Sequence, residues 1–157
     1  MSRETPRIKL PAVEQIGVVV ADIDRAIEFY SATFGLGPFQ VHEVELDGFT
    51  YRNQQGKCRL KMALAQSCPI EIELIQVLDG KTPHSEFLRE KGEGLHHLRF
   101  RVDAFSQLLA QLAEEGIEAE FHQTFPGIAS FAYLDSNKTA GVVFELFQIE
   151  DRPKQEG

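Results

Sequence analysis

Four polar side chains interrupt otherwise apolar, β-prone runs at places that correspond in two parts of the chain. Gln15 and His97 lie 82 positions apart, and Glu73 and Glu145 lie 72 apart. One imidazole, one amide and two carboxylates make a mixed nitrogen and oxygen donor set. Such a set suits a divalent ion in expanded coordination with water completing the shell, and Zn, Co, Ni, Mn and Fe are all admissible. The two carboxylates would neutralise a 2+ charge. Taken singly, a Gln within a strand is usually a satisfied edge residue and a lone Glu usually faces solvent; their recurrence at duplicated positions makes ligation the stronger account. His97 follows His96, and strand alternation predicts that only one of the pair points into a given cavity. Arg99 and Arg101 share the His97 face by the same rule. Two readings stay open for them: binding an anionic substrate, or solvated positions toward the strand end.

These residues need strands to carry them, and the pattern supplies strands twice. Val13 to Ala21 is apolar on both alternating faces, as in a strand buried between two layers. Asp22 reads as an N-cap, and Ile23, Ala26, Ile27, Tyr30 and Phe34 recur at helical spacing until Gly35. Strands over 39–46, 58–65 and 70–77 follow, separated by Asp47-Gly48, Gln54-Gln55-Gly56 and Cys68-Pro69. A connector with a short helix over 85–91 leads to the same series again: a strand over 95–102, a helical stripe of Phe105, Leu108, Leu109 and Leu112, and strands over 117–122, 128–134 and 142–149. Glu73-Leu74-Ile75-Gln76 aligns with Glu145-Leu146-Phe147-Gln148, and the second half is shorter in its middle loops, where the first half has residues 50–57. The expected class is α+β, with two βαβββ modules in tandem forming curved mixed sheets around a metal-binding cavity. The boundaries are a tail over 1–11, a first module over 12–80, a connector over 81–94, a second module over 95–149 and a tail over 150–157.

Composition narrows the partners. The 157 residues carry 16 Lys and Arg against 24 Asp and Glu, a net charge of −8 without the basic stripe that a phosphate backbone requires, so nucleic acid is not expected. The longest purely aliphatic run, Val18 to Ala21, is far short of a membrane span, and the N-terminal basic residues are followed by Pro11 and Glu14 rather than an apolar signal core. Cys58 and Cys68 lie outside any Cys-x-x-C pattern and read as reduced thiols of a cytoplasmic protein. A homodimer is expected, because an open curved sheet leaves edges and apolar surface for a second copy to cover.

Across residues 12–149 the chain resembles the vicinal oxygen chelate superfamily, which includes glyoxalase I, methylmalonyl-CoA epimerase, extradiol dioxygenases and bleomycin-resistance proteins. The epimerase-like segments are Val13-Glu14-Gln15-Ile16-Gly17-Val18, Ile72-Glu73-Leu74-Ile75, Glu86-Phe87-Leu88 and Gly92-Glu93-Gly94-Leu95-His96-His97-Leu98. The resemblance implies one divalent ion (Zn, Co, Ni or Mn) on Gln15, Glu73, His97 and Glu145. It also implies proton abstraction next to a carbonyl in a small-molecule substrate, with Glu145 as base. Glu73 is the candidate partner acid, and Glu43 or Glu45 is the alternative. Gln15 departs from the His usual in epimerases and is similar to zinc-type glyoxalase I, whose glutathione-contacting pattern is not found here. An acyl-CoA epimerase or isomerase is the leading expectation, a lactoylglutathione lyase-type enzyme the second, and a non-catalytic ligand-binding protein the third.

Overall fold

The computed structural model describes residues 6–150. Residues 1–5 and 151–157, most of the two expected tails, lie outside the described residues. Of the N-terminal tail, Ile8 and Leu10 pack against the cluster around Phe100, Phe105 and Leu146.

The element order is β1 (Val13–Val19), α1 (Ile23–Phe34), β2 (Gln40–Tyr51), β3 (Gln54–Ser67), β4 (Ile70–Asp79), α2 (Pro83–Lys91), β5 (Gly94–Arg101), α3 (Phe105–Glu114), β6 (Ala119–Phe125), β7 (Ala129–Leu134) and β8 (Val143–Ile149). The eight strands follow the order β1-β4-β3-β2-β6-β7-β8-β5 and close on themselves. Within each half the first strand pairs parallel with the last, and β1 meets β5 antiparallel. This is the mixed, curved α+β architecture that the tandem pattern predicts. Because the ladder closes, free sheet edges give no reason for a dimer; exposed apolar side chains remain, Phe29 and Phe34 on α1 among them.

Helix α1 starts where Asp22 accepts from the Arg25 amide and stops at Gly35, whose φ of 66° is the left-handed conformation a glycine adopts without strain. Helix α2 begins two residues earlier than the periodicity predicts. Thr82 and Ser85 form a reciprocal capping box, and Pro83 fits the first helical turn, where its missing N–H costs nothing.

The largest departure from the sequence reading lies in the middle of the first half. Asp47-Gly48 is not a turn but a bulge within β2, marked by a register shift between Asp47 and Phe49. The extra residue changes the parity of the inward face, so Val44 and Leu46 before it and Phe49 and Tyr51 after it all join one core cluster. The turn is Arg52-Asn53, with φ values of 48° and 63°, a two-residue hairpin connection between paired Tyr51 and Gln54. Residues 50–57 are therefore mostly hairpin ladder rather than loop. That extra length carries β2 across to β6, where Thr50 pairs with His122 and Tyr51 with Phe121. This two-pair seam closes the barrel.

Candidate metal centre

The four donors sit on four adjacent strands, in the order β4, β1, β5, β8. Register sets their heights: Gln15 is opposite Glu71, Gly17 is opposite both Glu73 and His97, and Arg99 is opposite Glu145. All four point inward and are nearly sealed, with exposures of 1% for Gln15, 5% for Glu73, 0% for His97 and 7% for Glu145. His97 Nε2 is the hub. It stands 3.3 Å from Gln15 Oε1, 3.3 Å from Glu73 Oε2 and 3.2 Å from Glu145 Oε2. Gly17 makes this possible, because a Cβ there would lie 1.9 Å from His97 Cε1. The imidazole occupies the space a side chain on β1 would fill.

Burial pushes the His97 imidazole down, but its hydrogen bonds to Glu145 and Glu73 outweigh that and hold it at about 9. Its other ring nitrogen, Nδ1, lies 3.2 Å from His96 Nδ1. Burial and then the charge of His97 lower His96 to about 3, so it is neutral and accepts the Nδ1–H of its neighbour. In the metal-free chain Nε2–H therefore faces the oxygens, and with Nδ1–H held by His96, loss of the Nε2 proton would leave a lone pair there, the form a ligating imidazole needs.

Alternation does not separate the two histidines as expected. The β1–β5 ladder slips between Gly17–His97 and Val18–Leu95, which leaves His96 as an extra, bulged residue, and both rings turn into the interior. A third imidazole joins them from α2. One ring nitrogen from each of His84, His96 and His97 lies within 4.8 Å of the other two. His84 Nε2 is 2.9 Å from the Tyr133 hydroxyl, while His84 Nδ1 is buried without a hydrogen-bond partner. A buried lone pair left unmatched is less costly than an unmatched N–H, so Nε2–H donates to Tyr133 and frees the phenol hydrogen for another acceptor. Burial, with Glu145 and Glu73 nearby, raises Tyr133 well above its usual range and keeps it a donor.

Glu73, Glu145, Tyr133 and Arg99 share the wall of a cavity of ≈ 220 Å³. Most of the remaining wall is apolar, including Val44, Leu46, Phe125, Phe131 and Phe147. Larger grooves lie on the outside, such as one of ≈ 560 Å³ between α1 and the start of β5, but none of the four donors lines it. Arg99 reaches the cavity with its guanidinium 4.5 Å from the Phe147 ring and its Nε 3.0 Å from Glu14. Arg101 does not line it. Its side chain is half exposed, 3.0 Å from Glu14, and borders an outer groove with Lys9 and Val102. Glu43 and Glu45 point outward, since Val44 and Leu46 hold the inward positions of β2. Neither is placed to exchange a proton inside. Tyr51, read as loop, is buried at the end of β2 and donates to Glu86, which also accepts from Arg52 Nη1 at 3.0 Å.

The donor set fits a divalent ion. Gln15 Oε1, Glu73 Oε2 and Glu145 Oε2 each lie within 3.3 Å of His97 Nε2, so the atoms that would hold the ion surround one buried nitrogen, and the two carboxylates would compensate its charge. The three-histidine cluster shares His97 with that set, but its other two members, His84 and His96, are walled by the rings of Phe87, Phe121 and Tyr133. Sequence reasoning missed Gly17, Glu71, His84 and Tyr133. Of these only Gly17 leaves a trace in the pattern, as a glycine inside a buried strand.

A family model described as the Glyoxalase/Bleomycin resistance protein/Dioxygenase superfamily matches residues 14–133, a span that contains Gln15, Glu73 and His97 and ends before Glu145. The uncharacterized protein YqjC of Bacillus subtilis is 26% identical over 136 residues, 85% of this chain and 89% of that protein. Among solved structures, methylmalonyl-CoA epimerase from Mycobacterium tuberculosis aligns with a TM-score of 0.67 and 22% identity over 90% of each chain. A Streptomyces coelicolor methylmalonyl-CoA epimerase in complex with 2-nitronate-propionyl-CoA aligns with a TM-score of 0.66 and 20% identity, over 91% of this chain and 100% of that one.

Proposed function

The chain belongs to the Glyoxalase/Bleomycin resistance protein/Dioxygenase superfamily, and from that premise we propose that it is a metal-dependent enzyme that removes a proton next to a carbonyl, an epimerase or isomerase of an acyl-thioester or related 2-oxo compound. The observation that carries this reading is the convergence of Gln15, Glu73 and Glu145 on His97 Nε2 within 3.3 Å, beside a mostly apolar cavity that Glu73 and Glu145 line. A carbon acid of this kind is too weak for an unaided carboxylate, and a bound divalent ion supplies Lewis acidity to the developing enolate oxygen.

The protein's own groups do the rest. Gln15, Glu73, His97 and Glu145 hold the ion. Glu145 takes the proton, and its cross-strand partner Tyr133 shares its face and offers a hydroxyl hydrogen to the substrate oxygen. Glu73, on the other side of His97, is the candidate partner acid: released from the ion and protonated from solvent, it would deliver its own carboxyl proton to the opposite face while Glu145 keeps the one it took. The apolar wall excludes water, and the Arg99 guanidinium beside Phe147 receives an anionic substituent.

A glyoxalase-type lyase is the second reading, and the amide at position 15 is what favours it. Solvent deuterium exchange separates the possibilities. With the metal-loaded chain, methylmalonyl-CoA should acquire deuterium at its α-carbon, and Glu145→Gln should cut that rate by about 10²–10⁴-fold with the fold unchanged. Exchange into the methylglyoxal–glutathione adduct alone would select the lyase. A Glu145→Gln variant as fast as the parent would sink the assignment of the base.

A further inference from the structure

Gln15 poses a problem that His97 does not. An amide side chain has nearly the same shape in its two flipped orientations, and only one of them aims oxygen at the centre; the other would aim an –NH₂ group at a cation. Something must choose. Glu71, two residues before Glu73 on the same face of β4, is the register partner of Gln15. Its Oε1 accepts from Gln15 Nε2 at 2.7 Å. A carboxylate only accepts, so this contact fixes the amide with nitrogen toward Glu71 and oxygen toward His97 Nε2, 3.3 Å away. Glu71 is itself held, accepting from Gln66 Nε2 at 2.8 Å and standing 3.5 Å from Arg99 Nη2.

We infer that Glu71 is a positioning residue for the metal centre: it locks the Gln15 amide oxygen onto the ion from outside the donor set. This rests on the metal-centre reading above. It explains how an amide serves at a place where an imidazole would be oriented through its second nitrogen. The second half of the barrel has no counterpart, for the residue opposite His97 on β8 is Val143.

The test is Co²⁺ affinity, by calorimetry and by the visible absorption of the Co²⁺ chain, in full-length protein stripped with chelator. The set comprises the parent, Gln15→Ala, Glu71→Ala, Glu71→Gln and the double alanine variant. Glu71→Ala should weaken Co²⁺ by roughly 10–100-fold, the usual effect of losing a partner that orients a ligand. The double variant should bind no more weakly than Gln15→Ala alone, and Glu71→Gln, whose amide oxygen still accepts, should recover part of the loss. Equal losses from Glu71→Ala with and without Gln15 would show Glu71 acting only through its charge, and would overturn the inference. So would a Glu71→Ala chain that binds like the parent while Gln15→Ala binds weakly; the centre would stand and the lock would fall. A parent chain that takes up no Co²⁺ would remove the metal centre and the lock together. Thermal melting of each variant shows whether a loss is local, since Glu71 is partly exposed and its removal leaves the core intact.

Discussion

Residue for residue, the two halves of the barrel agree where they build scaffold and diverge where they aim donors. Gln76 Oε1 accepts from the Ile23 amide at 2.9 Å, and Gln148 Oε1 accepts from the Phe105 amide at 2.8 Å; each ties a helix start to the closing strand of its half. Val20 donates to the Ile75 carbonyl as Val102 does to that of Phe147. Leu74 and Leu146 are both 0% exposed, and burial of each contributes about 1.5–3 kcal/mol. The repeated Glu-Leu-x-Gln motif thus places one carboxylate beside His97, one core side chain and one clamp per half. The first donors are treated differently. Gln15 is oriented by a carboxylate on the neighbouring strand, whereas His97 is oriented by His96, brought round by a bulge in its own strand. A duplicated scaffold can therefore keep its backbone bonds while each copy orients its polar side chain in its own way.

The comparison is most sharply broken at Gly17. Its equivalent in the second half is Arg99, so the strand tolerates a long side chain in one copy and none in the other. Gly17→Ala should displace the His97 ring, destabilise the chain by about 1–3 kcal/mol as an overpacked core does, and abolish stoichiometric metal uptake. Urea unfolding together with metal analysis would show it; an alanine variant that keeps parental stability and metal would mean the ring is not pinned over β1.

A smaller effect distinguishes the titrating donor from the one that cannot titrate. In the metal-free chain His97 is raised from an unfolded value of 6.5 to about 9, so the protonated ring favours the folded state. That contribution is fully present below pH 6.5 and is lost as the pH climbs through 9. In chelator, the parent should lose more stability between pH 6.5 and 9.5 than His97→Asn does. Parallel losses would remove His97 as the source.

The smallest contrast concerns the helix clamps. Helix α1 has the Asp22 cap as well as Gln76, while α3 starts at Ala104 without a side-chain cap and relies on Gln148. Gln148→Ala should cost about 1 kcal/mol, and Gln76→Ala less. Equal urea midpoints for the two variants would show that the Asp22 cap adds nothing there.

Much of this is legible in the amino-acid sequence. The two-fold repeat shows itself because scaffold demands the same residues twice, and Gln15, Glu73, His97 and Glu145 stand out because polar groups inside apolar strands recur at matching places. The internal order of the strands and the turn at Gly35 follow from local patterning, where neighbours in sequence are neighbours in space. What only the tertiary structure decided is where that locality ends. A single extra residue reverses which face a strand presents, so His96 joins the interior and Asp47-Gly48 bends a strand instead of ending it; no periodicity carries that information. Glu71 and Glu73 look alike along β4, and only the tertiary structure sets one against His97 Nε2 and the other against the Gln15 amide, 56 positions away. Gly17, Tyr133 and His84 acquire meaning from what crosses them in three dimensions, because contact between distant strands and a helix is set by closure of the barrel and not by any residue's immediate surroundings.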